Sequence, residues 1–267
     1  MALMTPQRIV GLHLRQVRER IDAACVAAGR DPATVRVLPV TKTQPAVVVR
    51  GAALAGCREF GENRVQEMAA KAAALGDLVF PQEDHPFDAR LGGKMAAKAA
   101  ALKERTGYEG TGLRWVLIGH LQRNKVGRAL AVAAEIQSLD SLATARALEE
   151  HCAALGRTVD VLVQVNSSGE ATKNGLEPGE VAAFTRQAAA FEHLRLRGLM
   201  TIALPSDDPA PVEACFSLME TLRDHLRDRD GGGWDELSMG MSHDYEPAIR
   251  HGATCVRIGT AIFGQRV

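Results

Sequence analysis

Apolar positions follow two alternating rhythms along this chain, and together they predict a string of strand–helix units. Over residues 5 to 29, Ile9, Leu12, Leu14, Val17, Ile21 and Ala24 form a stripe at helical spacing, with arginines on the other side. Asp31-Pro32 breaks that helix. The apolar run from Val35 to Val40 reads as a buried strand, although Pro39 is an unusual strand residue. Further strands are predicted at 57–60, 114–119, 135–139, 159–166, 195–203, 235–240 and 255–258. Helices are predicted between them at 45–55, 63–75, 124–133, 141–155, 178–190, 209–229 and 244–251. Eight strands, each feeding a helix or a chain end, imply a parallel sheet, and eight units favour a closed (β/α)8 barrel. Little chain follows strand eight, so the first helix is placed to close the ring.

Residues 77–112 interrupt the rhythm. They carry Pro81, Pro86, several glycines and a basic, Ala-rich piece from Lys94 to Arg105, which reads as an insertion made of a loop and a surface helix. The expectation is one domain over 1–267 with that insertion. A length of 267 residues suits one α/β barrel.

Composition narrows the function classes. Lys plus Arg equals Asp plus Glu at 32 each, so net charge points to no nucleic-acid partner, and 4% aromatic content argues against a base-stacking platform. The five cysteines are odd in number, widely spaced and without CxxC, which fits reduced thiols in a cytoplasmic protein and neither disulfides nor zinc. The eight histidines show no metal spacing. Gln7, Arg8, Arg15 and Arg18 interrupt the N-terminal apolar residues, unlike a signal peptide, and no apolar run approaches the roughly 18 residues that span a membrane. GxGxxG and GxxxxGK[ST] are both missing, so the usual dinucleotide and P-loop backbones are not offered.

In a barrel, ligand chemistry gathers on the loops after the strands. Those loops begin here with Thr41-Lys42-Thr43, Gly61-Glu62-Asn63, Gly119-His120, Asn166-Ser167-Ser168, Met200-Thr201, Gly240-Met241-Ser242 and Gly259-Thr260. Lys42 ends an apolar strand. Partial burial there disfavours the ammonium, and a neutral amine attacks aldehydes to form an imine. The bland alternative is a surface lysine whose stem snorkels along the strand end. The segments Ser238-Met239-Gly240-Met241-Ser242 and Arg257-Ile258-Gly259-Thr260 follow strands seven and eight, where barrels often bind phosphate through backbone N–H groups and hydroxyls. Here the alternative is tight-turn glycines with hydroxyl caps. An imine-forming lysine beside a phosphate site points to a phosphorylated aldehyde, pyridoxal phosphate foremost.

These segments resemble the YggS/PROSC family of pyridoxal phosphate homeostasis proteins. The resemblance is carried by Val40 to Pro45, Phe60 to Asn63 with Val65-Gln66-Glu67, Ile118 to Lys125, Asn166 with Ser168, Glu170 and Lys173, Leu196 to Met200, Leu237 to Ser242 and Val256 to Gly264. It implies an alanine racemase N-terminal-domain-like barrel that binds pyridoxal 5'-phosphate as a Schiff base on Lys42. It further implies phosphate contacts from Met241, Ser242, Gly259 and Thr260, Arg257 near the pyridine nitrogen, and Asn63 and His120 lining the cofactor. The chain departs from the family pattern in having Thr41 where Ser is frequent and Gln44 where Lys is frequent.

The resemblance implies a carrier without catalytic residues, which delivers cofactor to apo pyridoxal enzymes and is expected to be a monomer. The alternative is an amino-acid racemase, and a third reading is a Schiff-base aldolase. Racemisation needs a second base. The two tyrosines are Tyr108, inside the insertion, and Tyr245, expected to pack at the surface.

Overall fold

The structure is a computed structural model, and it describes residues 5–78, 112–170 and 172–265. Helix α1 (Pro6–Ala27) leads into strand β1 (Arg36–Pro39), helix α2 (Ala46–Leu54), β2 (Glu59–Glu62) and α3 (Val65–Ala74). After the insertion come β3 (Arg114–Leu117), α4 (Val126–Leu130), β4 (Ala133–Leu139), α5 (Leu142–Leu155), β5 (Val159–Gln164) and α6 (Val181–Ala188). Then follow β6 (Leu194–Met200), α7 (Pro209–Asp230), β7 (Glu236–Ser238), α8 (Tyr245–Arg250), β8 (Cys255–Ile258) and α9 (Thr260–Phe263).

All strand pairs are parallel, and the sheet runs β1-β8-β7-β6-β5-β4-β3-β2. The gap between β1 and β2 is bridged at Val40 and Gly61, where the Thr41 N–H donates to the Gly61 carbonyl at 3.0 Å. The eight-stranded barrel read from the sequence is therefore present. α1 supports the closing seam, with His13 Nδ1 2.8 Å from the Ile262 carbonyl of α9.

Local sequence explains the element ends. Ser141 caps α5 by accepting the Thr144 N–H at 3.2 Å, and Gly156 ends it in the left-handed region at φ 61°. Asp208 caps α7 in the same way, through the Ala210 N–H at 3.1 Å. The helix expected at 124–133 is shorter. A 3₁₀ turn at Arg123–Lys125 precedes α4, which ends at Leu130 because Ala133 already pairs with Trp115 in the sheet. Helix-favouring alanines yield there to strand pairing. The second strand lies two residues later than its expected 57–60. Residues 79–111, including most of the proposed insertion and Tyr108, fall outside the described residues.

Alternation along the strands divides each one into an outward and an inward face. Outward residues such as Phe60, Trp115, Val161, Val163, Leu199 and Leu237 join one large core beneath the helices, where the Phe60 and Trp115 rings stand 5.5 Å apart. Leu38, Val40, Val116, Ile118 and Cys255 form a second cluster inside the barrel. The floor of the barrel, at the strands' N-terminal ends, is charged. Arg36 reaches Glu59 at 3.2 Å, Glu135 at 3.0 Å and Glu236 at 2.9 Å, while Arg114 joins Glu59 and Arg195 pairs with Asp160. Burial disfavours ionisation of Glu135, but Arg36's charge and hydrogen bonds outweigh it and hold the carboxyl below its ordinary value. Glu236 is pushed up to about 7, first by burial and then by the charge of Glu135.

Candidate functional site

The inward face that runs through Leu38 of β1 and the bridge residue Val40 leads to Lys42, which places this half-buried lysine at the barrel mouth. It sits in a turn whose following residue, Thr43, has φ 66°, a conformation that costs a β-branched side chain energy. What holds the turn lies on the outward side. Lys71 of α3 is buried and donates to the Thr41 carbonyl, Glu62 Oε1 and Glu67 Oε1, each at 2.6 Å. An ammonium has three N–H donors, so each donor has one acceptor. Glu67 Oε1 also takes the Thr43 N–H at 2.6 Å, and Glu62 Oε1 takes the Thr41 hydroxyl at 2.6 Å. Burial raises the Glu62 carboxyl above its usual range, opposed by the bonds from Lys71 and Thr41. Glu62 Oε2 is buried without a hydrogen-bond partner.

Thr41 thus has a specific duty that a serine hydroxyl would also meet. Lys71 itself went unnoticed in the sequence. Its signal was there: Glu67 and Lys71 are spaced i,i+4 in a helix directly after Glu62.

β8 lies beside β1, and the Val40 N–H donates to the Ile258 carbonyl at 2.9 Å. Arg257 pairs in register with inward-facing Leu38 and is buried, at 4% exposure. Its guanidinium donates to Ser238 Oγ at 2.8 Å and to the Thr201 carbonyl at 2.6 Å. Among the described residues it forms no ion pair with a carboxylate. Burial lowers its pKa from the usual arginine value, yet a guanidinium stays charged.

The loops after β7 and β8 meet. Ser242 Oγ accepts the Ala261 N–H at 3.4 Å, joining the Gly240–Ser242 turn to the start of α9 at Gly259 and Thr260. Gly240 has φ 91°, and a Cβ there would stand 2.7 Å from Ala248 Cβ, so only glycine fits this turn. The Met241 N–H is taken by the Asp244 carboxylate, and the Ala261, Ile262 and Phe263 N–H groups are also taken, which leaves the hydroxyl and N–H of Ser242 and the N–H groups of Gly259 and Thr260 as the donors of this corner.

Asn63 follows β2 and is exposed. Its backbone lies against Gly119, where a Cβ would come within 2.2 Å of the Asn63 carbonyl oxygen, so this close approach requires glycine. His120 is exposed on the next loop, with Nδ1 3.0 Å from Asp140 Oδ2. The structure therefore gathers Lys42, Arg257, Ser242, Gly259 and Thr260 along the β7–β8–β1 arc, with Asn63 beside the bridge to β2 and His120 further round. On the opposite wall, Lys173 pairs with Glu170 and reaches the Ala203 carbonyl at 3.1 Å. Tyr245 corrects the sequence reading. It is buried, 7% exposed, as part of the core under α8, and burial raises its hydroxyl pKa.

The mouth suits a phosphorylated aromatic aldehyde. It offers an amine, a corner of hydroxyl and N–H donors, and a buried cation that forms no ion pair among the described residues. Among the described residues no group of acidic, histidine or cysteine side chains could hold a metal ion, and no helix is long and apolar enough to cross a membrane.

Comparison with known proteins agrees with this geometry. Residues 12–267 match the family model for the alanine racemase N-terminal domain. A curated relative from Pseudomonas aeruginosa, named pyridoxal phosphate homeostasis protein, is 40% identical over 95% of this chain and 94% of its own. The solved structure of PipY from Synechococcus elongatus with pyridoxal phosphate bound is 31% identical, with a TM-score of 0.74 over 96% of this chain and all of that one. A Clostridium difficile alanine racemase shares the fold at 15% identity and a TM-score of 0.65, over 96% of this chain and 56% of the racemase.

Proposed function

We propose, from the premise that this chain belongs to the pyridoxal phosphate homeostasis protein family of alanine racemase N-terminal-like barrels, that it binds pyridoxal 5'-phosphate covalently at Lys42. It acts in intracellular cofactor homeostasis as a carrier, and the cofactor passes on to apo pyridoxal enzymes. The observation that carries this reading is the arc that sets Lys42 beside Arg257 and the Ser242–α9 corner. Pyridoxal phosphate supplies an aldehyde that condenses with a primary amine, with loss of one water.

Each residue then has a task. Lys42 Nζ is the attachment point, and the clamp of Lys71, Glu62 and Glu67 fixes its turn. Ser242, Gly259 and Thr260 hold the phosphate through a hydroxyl and backbone N–H groups, with Met241 shaping the corner. Arg257 donates to the pyridine nitrogen. Because a guanidinium only donates, it favours an unprotonated ring and a weak electron sink. Asn63 and His120 line the rim.

The carrier reading is favoured over racemase chemistry by Tyr245. Racemisation requires a base on each face of the substrate carbon. Tyr245 lies in the core with its hydroxyl pKa raised, which makes it a poor second base. The test is the visible spectrum of purified protein mixed with the cofactor, followed by α-proton exchange of alanine in deuterated water. The expected result is a yellow adduct that Lys42→Ala abolishes, with no exchange beyond free cofactor. Exchange that depends on Lys42 would establish a racemase instead.

A further inference from the structure

Inside the barrel, a single file of polar side chains links the charged floor to the mouth. Arg257 Nη1 donates to Ser238 Oγ at 2.8 Å, Ser238 Oγ donates to Gln137 Oε1 at 2.7 Å, and Gln137 Nε2 donates to Glu135 Oε1 at 2.6 Å. Glu135 in turn accepts Arg36 at 3.0 Å. Gln137 and Ser238 are fully buried, and they come from β4 and β7. Neither carries a charge, and neither reaches the rim.

The direction of this file is fixed from below. The carboxylate of Glu135, held ionised by Arg36, only accepts, so the Gln137 amide must turn its NH2 toward the floor and its oxygen toward Ser238. Gln137 Nε2 also faces Cys255 Sγ at 3.9 Å. With the Gln137 oxygen above, the Ser238 hydroxyl donates its one proton to it. Ser238 Oγ is left with lone pairs alone, which the Arg257 guanidinium fills. Arg257 is thereby held by neutral acceptors, a hydroxyl oxygen and the Thr201 carbonyl. A carboxylate partner would absorb the cation's field and its donors. Neutral partners fix its position while leaving its charge to act on whatever enters the mouth.

We infer that Gln137 and Ser238 are positioning residues for the cofactor: through this directed file they hold Arg257 as an uncompensated donor toward the pyridine nitrogen. This rests on the reading of the mouth as a pyridoxal phosphate site, and it adds two residues that do not touch the cofactor. Once Ser238 Oγ is removed, the guanidinium loses a fixed acceptor and is free to turn toward Asp244, the carboxylate whose charge it senses. Its bond to the ring nitrogen then weakens.

The experiment measures the cofactor release rate and visible absorption spectrum of the full chain loaded with pyridoxal 5'-phosphate, for wild type, Ser238→Ala, Gln137→Met and the double variant. Each single variant should release cofactor roughly tenfold faster, the scale of one charge-assisted hydrogen bond, with a shifted absorption maximum. The double variant should be no faster than the faster single one, because both cut the same file. A purely structural role would lower thermal stability while leaving the spectrum of the bound fraction unchanged. Wild-type release rates and spectra in both single variants, or fully multiplicative effects in the double, would overturn the inference. If Ser238→Ala does not fold, Gln137→Met alone decides by the same two readouts. Failure of the wild type to form the adduct would instead sink the underlying cofactor assignment.

Discussion

An arginine stands at each end of this barrel, and the two are treated in opposite ways. On the floor, Arg36 is ringed by Glu59, Glu135 and Glu236. At the mouth, Arg257 is held by a hydroxyl and a carbonyl, and among the described residues it forms no ion pair with a carboxylate. The floor is electrostatically closed, since its charges satisfy each other. The mouth is open, since its cation is positioned yet not neutralised. A barrel can therefore use one residue type for cohesion at one end and for recognition at the other, and the partners reveal which is which.

The largest test of this contrast compares Arg36→Met with Arg257→Met by chemical denaturation. Removing Arg36 leaves three carboxylates crowded without their shared cation and should cost about 3–5 kcal/mol. Removing Arg257 takes away a buried charge that forms no ion pair among the described residues, so stability should change by no more than about 1 kcal/mol, while cofactor affinity falls. Equal losses of stability would erase the distinction.

A second test concerns the clamp under Lys42. Lys71→Met strands Glu62 and should cost about 2–3 kcal/mol, with slower attachment of the cofactor at Lys42. Adding Glu62→Gln should restore part of the stability, because the pair is coupled. Additive losses, measured by the same denaturation series, would mean that Lys71 and Glu62 act separately.

Taken per pH unit, the smallest effect is the pH response of the floor. Glu236 rests at about 7 in the folded chain, above its ordinary 4.5. A carboxyl raised by folding binds its proton more tightly when folded. Its contribution is complete below about pH 4.5 and is lost as pH rises through about 7. Stability measured between those values should fall by up to about 1.4 kcal/mol per pH unit from this group, and Glu236→Gln should flatten that slope. An unchanged slope in Glu236→Gln would place the titration elsewhere.

The barrel was legible in the sequence because strand and helix periods differ, and because the residues that follow strands one, seven and eight carry distinctive chemistry. Lys42, Ser242, Arg257 and Thr260 could be picked out before any fold was known. The floor could not. Arg36, Glu59, Arg114, Glu135 and Glu236 come from five strands, each a charged residue near a strand start, which reads as solvent-facing. Only barrel closure brings them into contact. Tyr245 was misplaced for a related reason: its neighbours His243, Asp244 and Glu246 look like a surface turn, yet the Gly240 bend folds the aromatic ring into the core. Gln137 and Ser238 were silent as well, since a neutral polar residue in a strand announces nothing until the facing strands are known.

The central claim is that Lys42, set in the open mouth, is the residue that holds the cofactor. Borohydride reduction of the chain loaded with pyridoxal 5'-phosphate, followed by peptide mapping by mass spectrometry, tests it most directly. One reduced pyridoxyl label, on Lys42, is expected at near-stoichiometric yield. A label on Lys71, Lys125 or Lys173 in its place, or label spread evenly over surface lysines, would contradict it.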